Sequence, residues 1–272
     1  GWAEGGGKWA GGKTLTLHFD YAGAIRLPNW ADQPGEAFFH TGPWLGLFGC
    51  VVATFRHPII YMLQEGFSLS DPSNHRATGL GGQAVLAHGP VNSTISLLYN
   101  FILRVQGQYG SVEALRLAAD NCVQQNKSQW LINFLYWLIF SGTKITSIEL
   151  HFAVPGHTKF TPGGYFGAVK SKLKRSESWG ATDTQREIQG ATKSMEAVLG
   201  GVEYYDWKAF LEQFFTPGFI KGVRSHRLFR YSLSDQSTIK YKHEIGDPSW
   251  ETHKVEMVPG LDEDAIQNPE GH

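Results

Sequence analysis

The chain has 272 residues, of which 42% are hydrophobic and 18% are charged, so it is long enough to bury a core of its own. Its 24 Lys plus Arg and 25 Asp plus Glu give a formal charge of -1, which argues against a dedicated nucleic-acid binder and leaves only local basic patches for such contacts. The only cysteines, Cys50 and Cys122, argue against a disulfide scaffold and favour a reducing, intracellular compartment.

The beginning of the chain, GWAEGGGKWAGGK, lacks the apolar core of a secretory signal. Because it is Gly-rich and has no initiating Met, we expect a fragment or an excised region of a longer protein. The most apolar window, Trp130 to Phe140, covers about 11 residues, roughly half of a bilayer-spanning helix. We therefore expect a helix buried on all sides and no membrane partner.

The first part of the chain predicts three strands. TLTLHFD, from Thr14 to Asp20, alternates and ends on the acid, and a long Gly/Pro-rich loop is expected after it. Leu45 to Phe55 predicts a second strand, and HPIIYMLQEG predicts its hairpin partner. Residues 68–89 are polar and Gly-rich, which indicates an insertion or a mobile loop.

Helices and strands then alternate. A helix is expected from near Pro90, with Asn92 or Ser93 as its cap and one apolar face formed by Ile95, Leu98 and Ile102. Further elements follow in chain order: a strand from Val112 to Asp120, an apolar helix from Gln125 to Ser141, a strand from Ile145 to His157, and a basic helix in GGYFGAVKSKLKR.

The order of elements predicts an α/β fold with a ribonuclease H-like mixed sheet flanked by helices, since a meander of three strands precedes the alternation. Residues 176–201 are predicted to form a surface helix pair or a linker, Tyr204 to Phe215 a short helix, and GVRSHRLFRYSLSDQSTIKYKHEIG a hairpin. The predicted organisation is a flexible Gly-rich start (1–13), a core (14–175, with an insertion at about 65–89), a C-terminal helix-plus-hairpin extension (176–255) and an acidic tail (256–272).

Two acids end predicted strands. Asp20 ends the first and Asp120 the fourth, and in a sheet of this order these strands are neighbours whose carboxyl ends share an edge. Two adjacent carboxylates repel each other unless a cation lies between them, and hard divalent ions prefer such oxygen ligands. The pair predicts a Mg²⁺ or Mn²⁺ site, with a two-metal centre for phosphodiester cleavage as its catalytic use. For each acid alone, a turn or helix-cap role is the alternative.

Several polar side chains lie near these acids in the sequence. His157 follows the fifth strand and suits Mn²⁺ or Zn²⁺ as a ligand, a general base, or a hydrogen-bonded turn. Asp120 and Asn121 can cap the next helix, while Asn126 and Lys127 in its first turn can order the acid or hold a phosphate. Other candidate substrate contacts are basic and lie further along the chain: Lys159, Lys170, Lys174 and Arg175. Solvated surface is the alternative for these basic residues and for a second patch, Arg224, Arg227 and Arg230.

Three stretches resemble one known family: HFDYAGAIRLP, LAADNCVQQNKSQW and FAVPGHTKFTPGGYFG. They are similar to a eukaryotic transposon-derived family of unknown function with FDYA, ADNC-x-x-QNK and GHTKF-x-x-D-x-x-FG motifs. The resemblance implies a ribonuclease H-like nuclease or transposase core in which Asp20, Asp120 and His157 match the metal-binding residues. It also implies a nuclear location and DNA, or alternatively RNA, as partner. The sequence carries no signal for the oligomeric state.

One position departs from that family pattern. Gly163 stands where such sequences have an acid three residues before Phe166, so the metal site lacks one carboxylate and its affinity is expected to be weakened. The sequence therefore leaves two functions open: a metal-dependent nuclease or strand-transferase, and an inactive, domesticated domain that binds DNA or a protein.

Overall fold

A computed structural model of the chain describes residues 14–32, 35, 42–64, 82–110, 112–121, 126–153, 161–218 and 220–259, with the backbone alone for 82–90. Its helices and strands, in chain order, are β1 (Thr14–Arg26), β2 (Trp44–Val52), β3 (His57–Gln64), α1 (Gly82–Tyr109), β4 (Ala114–Ala119), α2 (Gln129–Phe140), β5 (Ser147–Phe152), α3 (Thr161–Leu173), α4 (Ala181–Gln189), β6 (Glu196–Leu199), α5 (Trp207–Leu211), β7 (Leu228–Ser232), β8 (Thr238–Lys242) and β9 (Glu251–Lys254).

The strands form one mixed sheet of nine, in the order β6-β3-β2-β1-β4-β5-β7-β8-β9. β1, β2 and β3 make an antiparallel meander, while β4 pairs parallel to β1 and β5 pairs parallel to β4. The fold is therefore α/β, with a large mixed sheet flanked by helices. The predicted order of strands and helices up to α3 is confirmed.

Alternation along the strands gives the sheet two different faces. Leu15, Leu17 and Phe19 of β1 point into a core shared with α1, α2 and α5, and Thr16, His18 and Asp20 point to the opposite face. Nine of the 12 residues of α2 are buried, as its nearly all-apolar sequence predicts. No helix in the part of the chain that the structure describes is long and apolar enough to cross a membrane.

The opposite face is covered at β1, β2 and β3 by α3 and α4, whose apolar side chains form a second, smaller core. Gly49 of β2 permits this packing, because a Cβ at that position would lie 2.6 Å from the ring of Phe166 in α3. The glycine thus lets α3 approach the sheet beside β1, which carries Asp20.

Several boundaries differ from the sequence-based predictions. β1 continues to Arg26, where a loop was expected, because its last residues pair with β2 beyond a bulge at Ala22 to Ile25. α1 begins at Gly82, inside the expected insertion, and the predicted caps Asn92 and Ser93 lie buried within it. The helix was predicted to start near Pro90 because a Gly-Pro pair, here Gly89-Pro90, is more typical of a helix boundary than of a helix interior. Residues 65–81, the rest of the insertion, lie outside the described residues.

The region after α3 also differs. Residues 176–201, predicted as a surface helix pair or a linker, contain one helix, α4, and then β6, an edge strand that pairs parallel to β3. The predicted hairpin is confirmed as β7 and β8, and it joins the main sheet because β7 pairs antiparallel to β5. α5 is confirmed but short, with Asp206 as its cap. Four strands of the expected extension thus belong to the same sheet as β1 to β5.

Candidate functional site

Asp20 and Asp120 lie side by side on neighbouring strands. β1 and β4 are parallel and pair up to Phe19 with Ala119, so the next residue on each strand is an aspartate. Burial, and then the charge of Asp120, raise the pKa of Asp20 from 3.8 to about 6, while the Tyr21 amide that donates to Asp20 Oδ1 at 2.8 Å acts in the opposite direction. The two acids are therefore neighbours where β4 ends, as predicted, but Asp20 lies within β1 and not at its end.

Asn126 holds Asp120 in place. Its Nδ2 donates to Asp120 Oδ1 at 2.5 Å, and its side chain is only 1% exposed. Within the described residues, its Oδ1 and the Oδ1 of Asn121 are buried without a hydrogen-bond partner. Such amide oxygens are ligands that hard cations accept. Asn126 thus serves as the ordering residue that the sequence suggested for it.

The predicted helix caps in this region are wrong. α2 begins at Gln129, and its cap is Ser128, whose hydroxyl accepts from the Leu131 amide at 3.2 Å. Asp120 and Asn121 therefore do not cap α2, and helix capping does not explain why these two residue types stand at these positions. Residues 122–125, between Asn121 and the segment that leads into α2, lie outside the described residues.

Lys127 points away from solvent. It is 3% exposed, its Nζ donates to the Arg224 carbonyl at 2.7 Å, and it lies 5.2 Å from the ring centroid of Phe152. Burial first, and then the charge of Arg227, lower the pKa of Lys127 to about 8. In this conformation Lys127 ties the segment after Asp120 to the turn before β7.

Two histidines share the polar face with the acids, and the sequence analysis did not single them out. His18 on β1 pairs with Ala118 on β4, and Ala118 pairs with His151 on β5. The two imidazole rings therefore lie on either side of Ala118, in the row of residues two positions before Asp20 and Asp120. His18 Nδ1 lies 2.8 Å from Thr161 Oγ1 at the start of α3, and burial and the charge of His151 lower its pKa to about 4. The available signal was the His18-x-Asp20 spacing, which places both side chains on one face of a strand.

A buried carboxylate network continues across this face. Glu149 of β5 accepts two bonds from Arg230 of β7, at 2.9 and 2.7 Å, and its Oε2 lies 3.5 Å from His151 Nε2 and from Arg116 Nε. Burial opposes ionisation of Glu149, but His151 and Arg230 outweigh it and lower its pKa. Arg230, predicted as part of a basic surface patch, is therefore committed to a structural ion pair.

The remaining predicted residues are placed differently. His157 and Lys159 lie outside the described residues. Lys170, Lys174 and Arg175 are exposed in and after the last turns of α3, and at 1.5 Å per residue Lys170 lies about 14 Å from Thr161. These three basic residues are thus not in the immediate surroundings of Asp20 and Asp120.

Gly163 lies in the first turn of α3, close to the anchor that His18 and Thr161 form with β1. A Cβ built there meets nothing within 4 Å in the described part of the protein. A carboxylate at this position would therefore meet no steric obstacle from it. Among the residues that the structure describes, no three His, Cys, Asp or Glu side chains are arranged to hold a metal ion.

A comparison with known protein families identifies the family of this chain. A family model described as "Domain of unknown function (DUF7869)" matches residues 84–247, more than half of the chain. No curated protein and no solved structure matches. The matched range begins within α1 and includes Asp120, Asn126 and the Glu149–Arg230 pair, while Asp20 precedes it.

Proposed function

This chain therefore belongs to the DUF7869 family of unknown function, and we propose that it is a metal-dependent phosphodiesterase of the ribonuclease H-like type, acting on nucleic acid as a nuclease or transposase-like strand-transferase. The observation that carries the proposal is that Asp20 and Asp120 each follow the last paired residues, Phe19 and Ala119, of two adjacent parallel strands, with the charge of Asp120 acting on Asp20. The pKa of Asp20, raised to about 6, reflects a partly buried carboxylate beside a second negative charge, an arrangement that a cation would relieve.

The topology supports the same interpretation. The segment β3-β2-β1-β4-β5, with β2 antiparallel to its neighbours, has the strand order of the ribonuclease H-like fold. In α/β sheets, ligands bind beyond the carboxyl ends of the strands. Asp120 directly follows the carboxyl end of β4, and Asp20 lies beside it on β1. The motif resemblance noted in the sequence points to the same residues.

The residues present fit a Mg²⁺ or Mn²⁺ ion. Mg²⁺ is typically bound through one or two carboxylates, with water and substrate phosphates completing its coordination, so two aspartates are a sufficient protein contribution. Asp20 and Asp120 would hold the ion, and the unpartnered amide oxygens of Asn121 and Asn126 lie in the segment that follows Asp120. When bound, such ions activate water and stabilise the charge that develops on the leaving oxygen.

The other residues of the site have supporting roles in this mechanism. Asn126 fixes the orientation of Asp120 through its 2.5 Å hydrogen bond. His18, with a pKa of about 4, stays neutral at pH 7, adds no positive charge to compete with the ion, and joins β1 to α3 through Thr161. The protein thus supplies a rigid, negatively charged sheet edge that binds the ion and orients a phosphodiester.

Calorimetric titration with Mn²⁺ and Mg²⁺ tests the proposal on the wild type, on Asp120→Asn and on the exposed control Asp32→Asn. We expect binding by the wild type and the control, and its loss in Asp120→Asn. The same three proteins are then assayed for cleavage of labelled DNA and RNA with Mn²⁺. Equal cleavage by Asp120→Asn and the wild type would refute the assignment.

Gly163 favours a second candidate, a catalytically inactive domain that binds nucleic acid or protein. Without a carboxylate in the first turn of α3, the described site has two acids, which weakens metal binding. In this case, the wild type shows no metal binding in calorimetry and no cleavage, but binds DNA with a steep salt dependence. Salt-independent or absent DNA binding would contradict the DNA-binding form of this candidate.

A further inference from the structure

A cleft lies between the end of β1 and α3, beyond the candidate site. It has a volume of about 290 Å³, close to the lower limit for small-ligand sites. Its floor is apolar and includes Ile25, Leu47 and Phe166, and its rim carries Arg26, Lys170 and Lys174. No carboxylate lines it among the described residues, so the cleft combines an apolar surface with three positive charges.

These cations are available for a ligand. Lys170 in α3 and Lys174 directly after α3 are exposed and lie four residues apart, and Arg26 is half-buried at the end of β1. None of the three forms an ion pair within the part of the chain that the structure describes. Lys172, on another side of the same helix, pairs instead with Glu187 at 3.4 Å. The described part of the chain therefore leaves the positive charge that faces the cleft without a neutralising carboxylate.

An aromatic ring stands at the edge of the cleft and is held in place. Trp30 packs edge-on against Trp179, with ring centroids 4.6 Å apart. The preceding residue, Asn29, donates to the carbonyls of Leu173 and Ser176 at 2.8 and 3.0 Å, which fixes this segment to the end of α3. Trp30 is thus a preorganised ring beside a cluster of cations.

We propose that this cleft binds single-stranded nucleic acid, with backbone phosphates on Arg26, Lys170 and Lys174 and a base against Trp30. A cationic groove with aromatic side chains is the general solution for binding single strands without sequence readout. An acidic peptide would use the cations but leave the apolar floor and the ring without a specific role.

The cleft also lies on a continuous path from Asp20. β1 extends past the end of β4, and its six residues after Asp20 reach at most about 20 Å. A single nucleic-acid strand lying along β1 beyond the end of β4 would place one phosphodiester at the aspartates and a neighbouring segment in the cleft. This inference rests on the proposed function for its choice of ligand, but its binding test requires no metal.

The test measures fluorescence anisotropy of a labelled oligo(dT) of about 12 nucleotides, within the ~4–16 nucleotide range of such sites. EDTA is present, so neither metal binding nor cleavage contributes. The variants are Lys170→Gln/Lys174→Gln, Trp30→Ala, and the control Lys144→Gln/Lys193→Gln, which changes two exposed lysines outside the cleft. Circular dichroism and thermal melts verify that each variant is folded.

We expect the cleft double variant to bind about tenfold more weakly at 0.1 M salt, with a salt slope smaller by about 1.4 for two lost phosphate contacts. Trp30→Ala should weaken binding by about 5- to 150-fold with an unchanged slope. The control should bind like the wild type. Equal loss in the control, or none in the cleft double variant, would overturn the proposal.

A mononucleotide arm distinguishes a strand from a free nucleotide. If dTMP competes as well as the oligonucleotide per site, the cleft is a mononucleotide pocket and the strand proposal is wrong. A metal-dependent nuclease whose oligonucleotide affinity does not depend on the cleft would refute this inference alone. A protein that binds through the cleft but neither binds metal nor cleaves would refute the proposed activity alone.

Discussion

Replacing Asp20 by asparagine should stabilise the metal-free protein, and the gain should grow with pH. The pKa of Asp20 is raised from 3.8 to about 6, chiefly by burial and then by Asp120, so the folded state takes up a proton between these values that the unfolded chain does not. Stability is therefore lost as pH rises from about 4 to about 6, and the full penalty remains above that range. The Asp20→Asn variant keeps a side-chain oxygen that accepts from the Tyr21 amide but carries no charge.

The magnitude follows from the shift. About two units at 1.36 kcal/mol each correspond to about 3 kcal/mol, which partial solvent exposure reduces to about 1–2 kcal/mol. Part of this penalty is already present in the wild type at pH 4.5, and the rest develops as the pH rises. We therefore expect the stability of Asp20→Asn relative to the wild type to increase by about 1 kcal/mol between pH 4.5 and pH 8. This gain is the expected signature of a site whose charge arrangement serves ligand binding at the expense of stability.

Urea denaturation in EDTA at the two pH values measures this change, with the exposed Asp32→Asn as control. Free Mn²⁺ at 100 times its Kd should then stabilise the wild type by about 2.7 kcal/mol and leave Asp20→Asn unchanged. A pH-independent difference in stability between Asp20→Asn and the wild type would refute the reasoning. It would mean that neither burial nor the charge of Asp120 raises the pKa of Asp20.

Three other substitutions test neighbouring parts of the site. Asn126→Ala removes the donor to Asp120, and calorimetry should show Mn²⁺ affinity lower by about 10- to 100-fold; an unchanged affinity would deny Asn126 its orienting role. Gly163→Asp should raise Mn²⁺ affinity by about tenfold, since the side chain enters open space and adds a charge; no increase would place this turn away from the ion. Arg230→Met should cost about 3 kcal/mol in urea denaturation by leaving Glu149 with weaker partners, and addition of Glu149→Gln should restore most of it; a double variant as unstable as the single one would contradict the ion-pair argument.

Local sequence patterns predicted the helices and strands whose burial follows one regular pattern along their length. Alternation gave β1 its two faces, and the apolar run of α2 predicted a buried helix. The same patterns failed where pairing partners decide the structure. β6 is a four-residue edge strand, too short for a pattern of its own, and it forms because β3 offers it a parallel partner. The end of β1 is a strand because β2 pairs with it beyond a bulge.

The sequence by itself determined that Asp120 directly follows a strand, because an acid after an apolar run is visible in the chain. The same reasoning ended the first strand at Asp20, whereas β1 continues to Arg26. The sequence also determined which helix is buried, since burial of α2 depends on composition alone. Only the tertiary structure decided that Asn126 bonds to Asp120, that His18 and His151 share their face, and that Arg230 is held by Glu149. These relations depend on strand register and on segments distant in sequence. Local patterns such as the His18-x-Asp20 spacing place side chains on a face but do not fix which strands and segments come together.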